Sequence, residues 1–153
     1  MMLVSLAVAV VQSAGLGQTA PPEAWTVLAR HDGGLVAVDR SKVERQPDGT
    51  VQYWAMATLK GGDHMYGPGY AYQIYRWTVD CEAMTFGVDE GIQYGPEGQI
   101  REFEPASEPQ APLEMPLGSL IHRVADAVCR DRWGEEASQP SALDVYRLSL
   151  AAD

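Results

Sequence analysis

Cysteine is scarce in this 153-residue chain: there are two, Cys81 and Cys129, and no C-x-x-C pair. That spacing excludes a thioredoxin-type redox centre and a multi-cysteine zinc module. Histidine is limited to His31, His64 and His122, no serine sits in G-x-S-x-G, and the motifs of zinc proteases and serine hydrolases are missing. The glycine-rich segment 61–69 (GGDHMYGPG) lacks the Lys-Ser/Thr ending of a phosphate cradle. Positive charge is also in deficit, with 11 Lys and Arg against 21 Asp and Glu and a net charge of −10. Such a surface repels phosphate backbones and anionic lipid, so no nucleic-acid partner is expected. The nearest thing to a basic cluster is Arg123, Arg130 and Arg132, and it is sparse. No apolar run is long enough to span a bilayer; residues 3–11 are apolar but broken by Ser5.

What is present points to an exported single domain. With 46% hydrophobic residues, a chain of this length buries one ordinary core. The short apolar run near the start is followed by small residues at Ser13, Ala14, Gly15 and Gly17, the layout of a secretory signal, although no Lys or Arg precedes it. We therefore expect a signal peptide over 1–20, a domain over 22–133 and a polar tail over 134–153. No cysteine follows the apolar run, so the product is expected without a lipid anchor or a membrane span.

The domain reads as β-structure. The organising stretch is 70–81 (YAYQIYRWTVDC), whose alternation places Gln73, Tyr75, Trp77 and Val79 on one face and Tyr70, Tyr72, Ile74 and Arg76 on the other. Aromatic and β-branched side chains on both faces mark a central strand. Strands are expected at 25–30, 35–39, 43–46 and 50–60 before it, and at 85–88 and 99–103 after it, with 89–91 as a break. Four prolines within 105–116 predict an extended connector rather than an element. Ser119 then caps a helix whose Ile121, Val124, Ala125, Val128 and Cys129 form one apolar stripe, with Gly134 as its stop and His122 and Asp126 one turn apart. In the tail, Ser141 and Asp144 form a capping box for a short helix that is marginal alone.

Cys81 ends the organising strand and Cys129 lies on the helix stripe, so two cysteines in an exported chain most simply form a disulfide that clamps the helix to the sheet. A redox thiol is the sharper alternative, but both cysteines sit on apolar faces without an activating neighbour.

Taken together, Trp25, segment 35–56 (LVAVDRSKVERQPDGTVQYWAM), segment 77–81 (WTVDC) and segment 115–129 (MPLGSLIHRVADAVC) resemble the surface-adhesin protein E family of Gram-negative bacteria. The resemblance implies an α+β fold: a curved antiparallel sheet of about six strands with a C-terminal helix tethered to its face through Cys81 and Cys129. It also implies residence in the periplasm or at the cell surface and adhesion to host matrix proteins. The family's best-known members are lipid-anchored, and this chain departs from them there.

Residue chemistry adds a candidate contact surface. Met65 and Tyr66 sit at the tip of the glycine-rich loop, and Trp54, Tyr70 and Tyr72 would form an aromatic patch if the sheet face away from the helix is open. The ordinary reading of such aromatics is core. His31-Asp32 and Asp63-His64 each pair an imidazole with a carboxylate, and Glu102 and Glu104 share one strand face; polar turn residues and a solvated face account for both. No catalytic residue, metal or cofactor is assigned. The expected activity is non-catalytic protein–protein contact with a host matrix or envelope protein, or with a second copy of the chain as a homodimer. Two alternatives stand beside it: a periplasmic small-molecule binder using the concave sheet face beside Trp77, and a hydrolase built from loop His and Asp residues.

Overall fold

The computed structural model describes residues 22–31, 34–58, 69–106 and 111–151. The signal-peptide expectation over 1–20 and the loop residues Met65 and Tyr66 lie outside the described residues. In order, the strands are β1 (Trp25–His31), β2 (Gly34–Asp39), β3 (Glu44–Arg45), β4 (Thr50–Thr58), β5 (Tyr72–Asp80), β6 (Thr85–Tyr94), β7 (Ile100–Glu104) and β8 (Leu113–Glu114). Two helices follow, α1 (Leu120–Cys129) and α2 (Ala142–Leu150). Six strands form one antiparallel path, β1-β2-β4-β5-β6-β7, with β3 beside β4 and β8 beside β6. β5 is central, paired along its whole length with β4 and β6.

Strand alternation divides the core in two. Val51, Tyr53, Ala55, Trp77 and Val79 pack on one face with Val124, Ala125 and Val128 of α1. Met56, Tyr72 and Ile74 pack on the other with Ala142 and Val145 of α2, joined by Trp25, Leu35 and Ala37. β1 serves both cores because a bulge between Val27 and Ala29 shifts its register against β2. Val27 therefore faces the α2 core and Ala29 the α1 core. Further register shifts at Arg76/Trp77 and Gln93/Tyr94 bend the central and outer strands.

Asp39 holds the start of the sheet. Its side chain is fully buried, and Oδ1 accepts from the backbone N–H groups of Ala24 and Ser41 and from the Ser41 hydroxyl. Lys42 reaches its other oxygen at 3.3 Å and Glu23 at 3.0 Å. A carboxylate can be buried here because three donors converge on Oδ1 and the Lys42 ammonium faces Oδ2, which has no hydrogen bond of its own among the described residues.

The Cys81–Cys129 disulfide joins the residue after β5 to the last residue of α1, with a Cα separation of 5.7 Å. Ser119 caps α1 by accepting from the N–H of His122, as its sequence position predicts. The helix stops at Cys129 rather than running to Gly134, because Arg130 caps it and Asp131 turns to a φ of +57°. Asp126 is taken up by Arg130 and Arg132 rather than by His122, so one of the three positive charges of the sparse basic cluster is offset.

Three further expectations are corrected. Residues 89–91 do not break the strand: Arg76 pairs with Glu90 and Trp77 with Val88, so Asp89 is the extra residue of a bulge inside β6. The proline-rich connector contributes a short paired strand, β8, against Thr85 and Phe86. The face opposite α1 is not left open, since α2, opened by Ser141 accepting from the N–H of Asp144, is packed into the second core.

Replacing both Cys81 and Cys129 by serine should lower unfolding free energy by about 4 kcal/mol, the loop-closure entropy of a 48-residue separation. Urea denaturation of the variant, with a lower midpoint and a slope no smaller than that of the cross-linked protein, checks it; equal midpoints would remove the clamp from the account of stability.

Candidate functional site

The aromatic side chains proposed as a patch fall into different environments. Tyr72 is 4% exposed, buried beneath α2 with its ring stacked on Tyr94 at 4.8 Å and tilted against Tyr146 at 5.4 Å. It is therefore core, because the tail helix covers the position that alternation alone leaves open. Trp54 is half-buried, with the Arg76 guanidinium 5.9 Å from its ring centre. Arg76 in turn pairs with Asp89 at 3.5 Å and Glu90 at 3.1 Å, the two acids that the β6 bulge brings together. Tyr70 is half-buried, its hydroxyl 3.4 Å from Glu102 and its ring beside Arg101.

The sheet's two ends are finished differently. At the β1 edge, Trp25 exchanges both backbone hydrogen bonds with Gln139, Thr26 shares a hydroxyl contact with Ser138, and Arg30 pairs with Glu136. The tail thus closes that edge. At the other end β7 is the terminal strand, pairing with β6 alone among the described residues. Register opposite Tyr94 and Ile92 sets Ile100 and Phe103 on the α2 side of the sheet, and they are 64% and 54% exposed. Glu104 accepts from the buried Gln93 amide at 3.1 Å, which makes it a structural partner rather than one of an acid–base pair with Glu102. The sequence analysis did not single out Ile100 and Phe103; two large apolar side chains in a strand otherwise of Arg and Glu were the available signal.

On the α1 side lies a cavity of about 200 Å³ between β2, β4 and β5 and the first turns of the helix. Ala55 and Ala57 form its floor, Tyr53, Tyr75 and Trp77 its aromatic walls, and Leu120 and Ile121 its helical side. The Tyr75 ring lies against Gly91 in β6, where a β-carbon would sit 2.2 Å from a ring atom, so glycine is required for that wall. Gln73 Oε1 and Trp77 Nε1 are shielded from solvent and lack a hydrogen-bond partner among the described residues. Each such orphan costs about 1–3 kcal/mol relative to a satisfied group.

Among the described residues there is no group of three His, Cys, Asp or Glu side chains that could hold a metal ion. His64, Asp32 and Asp63 lie outside the described residues, so the loop His–Asp arrangement is not placed.

Fold and surface together define a disulfide-stapled α+β domain whose sheet, among the described residues, is bonded by the tail at β1 and ends at β7. The model of the family described as surface-adhesin protein E matches residues 25–130, more than two thirds of the chain, and the chain belongs to that family. It is similar in structure to Haemophilus influenzae protein E, with a TM-score of 0.50 at 12% identity over 72% of this chain and 93% of that one. A second crystal form of the same protein gives a TM-score of 0.47 at 12% identity, covering 71% and 94%. At that identity the likeness concerns the fold. No curated protein matches the chain in sequence.

Burial raises the pKa of the core tyrosines, because the phenolate is the form that desolvation penalises. Tyr72 is pushed up to about 12 by desolvation, with Tyr94 and Glu23 adding to it; Tyr94 is raised by desolvation and then Glu23, and Tyr53 is raised by desolvation. Unfolded tyrosine ionises near 10, so between about pH 10 and 12 the unfolded chain holds fewer protons than the folded one, and stability falls as pH rises. Below about pH 10 this contribution is intact. Tyr72→Phe should make the alkaline decline shallower without changing its onset, read by thermal unfolding at pH 8 to 12; an unchanged slope would take Tyr72 out of the buried set.

Proposed function

We infer that the chain is an exported, non-catalytic envelope domain that works by protein–protein contact, in an adhesin-like way. The observation that carries this reading is the asymmetry of the sheet: one edge is closed by the chain's own tail, while β7 is terminal and carries exposed Ile100 and Phe103. A terminal strand with free backbone groups and adjacent apolar side chains accepts an added strand or a packed surface from another protein. Family membership supports the same direction, since the family is described as surface adhesins. The partner class is a host matrix or envelope protein. A second copy docking β7 against β7 is the self-associating form of the same contact. Half-buried Trp54 and Tyr70 lie on that side of the sheet, beside Arg76 and Arg101, and extend the surface; Met65 and Tyr66 belong to the proposal through the sequence alone.

Location follows from the same reading. Removal of the leader over 1–20 leaves a product in the periplasm or at the cell surface of a Gram-negative bacterium, in which the tail beyond 133 packs as a layer of the domain. Intact mass of the protein recovered from the envelope fraction should show a shortened chain that takes up thiol label only after reduction. A full-length chain with two free thiols would overturn export.

The contact is tested by the double variant Ile100→Lys, Phe103→Lys. Because both side chains are exposed, folding should change by less than about 0.5 kcal/mol. Binding to immobilised matrix proteins or to envelope extracts should fall at least about tenfold by surface plasmon resonance. Retained binding in the folded double variant would move the contact away from β7. Sedimentation velocity on the same pair separates a hetero-partner from self-association.

A further inference from the structure

The cavity beneath α1 has a shape as well as a composition. Its sheet side covers three successive rungs of one face: Tyr53 opposite Trp77, Ala55 opposite Tyr75, and Ala57 opposite Gln73, with Val36 beside Ala57 on β2. Tyr53 to Ala57 spans about 13 Å at about 3.3 Å per residue. A volume of about 200 Å³ spread over that length is a narrow trough rather than a round pocket. Burial is graded along it. Tyr53 is 1% and Ala55 6% exposed, whereas Ala57 and its cross-strand neighbours Val36 and Gln73 are half-buried. On the helix, Val124 is buried, and Leu120 and Ile121 in the first turn are half-buried. The trough is therefore deep at Tyr53 and Val124 and meets solvent at the Ala57 rung and the first turn of α1. Among the described residues its lining holds no Lys, Arg, Asp or Glu, and Gln73, its one amide, stands on the half-buried rung.

We propose that this trough is a binding site for a free single-chain amphiphile, which inserts its unbranched alkyl tail and leaves its head group in solvent at the Ala57 rung. Size sets the length of the tail: an engineered cavity of about 150 Å³ takes benzene, so about 200 Å³ takes about eight carbons. Shape sets its form, because a chain in single file follows three rungs that a compact ring of the same carbon count does not. Composition sets which end enters. A charged or strongly polar group inside would be desolvated with no ion of opposite sign, whereas each buried methylene adds a favourable increment. The width admits one chain, so a two-chain lipid would leave its second chain in water. No hydrogen bond from the lining is required. The site is on the α1 face and makes no use of β7, so it goes beyond the contact reading.

The probes are 1-hexanol, 1-heptanol, 1-octanol, cyclooctanol and octyl glucoside below its micellar concentration, titrated into the full, disulfide-intact protein with labelled isoleucine methyl groups. Ile121 reports on the trough and is assigned by its loss in Ile121→Leu; Ile100 on β7 is the internal control. 1-Octanol should shift the Ile121 methyl resonance saturably, with half-maximal effect below about 1 mM, and leave Ile100 unmoved. Affinity should rise about three- to fourfold per methylene from hexanol to octanol. Octyl glucoside should bind within about threefold of 1-octanol, because its head stays outside, and cyclooctanol at least about tenfold more weakly. Ala57→Leu should obstruct the open end and weaken 1-octanol at least about tenfold. Ile100→Lys, Phe103→Lys should bind 1-octanol as the wild type does, so that failure of the contact reading and failure of this one are told apart. Phosphatidylcholine vesicles should not sediment with the protein; if they do, the chain belongs to a bilayer lipid and the free amphiphile is overturned. It is equally overturned if 1-octanol gives no saturable Ile121 shift up to its solubility, if cyclooctanol binds as tightly, if octyl glucoside does not bind, or if a folded Ala57→Leu variant binds unchanged. The wild-type titrations decide the matter even where Ala57→Leu does not fold.

Discussion

A central strand that is apolar on both faces must be covered on both faces, and most of this fold follows from that demand on β5. Tyr72 and Ile74 look one way, Tyr75, Trp77 and Val79 the other, and a single helix can bury only one set. α2 answers the first face and α1 the second, with the strand itself as the partition. The bulge at Val27/Ala29 lets β1 contribute to both layers, since shifting by one residue exchanges the face its side chains address. The tail is thus a structural layer of the domain, tied to the β1 edge at Gln139 before it turns into α2.

Covering the faces leaves the edges, and there the chain spends its tail on one end only. Residues 136–139 occupy the β1 edge through backbone and side-chain bonds. Among the described residues the ladder stops at β7 with Ile100 and Phe103 exposed, two apolar side chains among Arg101, Glu102 and Glu104. Natural sheets blunt such edges with charge and with short strands, and β7 has both features alongside its apolar pair. Charge limits indiscriminate pairing while the apolar residues supply the contact, a combination suited to selective association.

Much of the architecture was legible because it rests on local alternation and spacing. The β4 and β5 faces, the α1 stripe with its Ser119 cap, and the Cys81–Cys129 tether are all carried by residues close in sequence or by the only two cysteines available. What was hidden depended on distant partners. Asp89, Glu90 and Gly91 look like a turn until Arg76, on the neighbouring strand, is there to hold both acids across a bulge. Residues 142–150 make a marginal helix in isolation; the stacked rings of Tyr72 and Tyr94 give it a surface to pack on. The same contact turned Tyr72 from a surface candidate into core. The cavity was hidden for a further reason, since Ala55 and Ala57 read as ordinary strand residues and become a floor only when a helix stands above them.

That helix could stand closer. An unfilled space of about 200 Å³ forfeits packing worth up to about 5 kcal/mol at the cost per volume found for engineered cavities, less where solvent enters. The disulfide contributes about 4 kcal/mol by restricting the unfolded chain. The two magnitudes are comparable, and the two features belong to opposite ends of one helix. The last residue of α1 is bonded to the end of β5, and Tyr53, Tyr75 and Trp77 line the space under its first turns. Gly91 completes the arrangement by giving the Tyr75 ring a place against β6. The cross-link and the open space thus lie at opposite ends of the same helix, the tight end at Val128 and Cys129 and the looser end at Leu120 and Ile121.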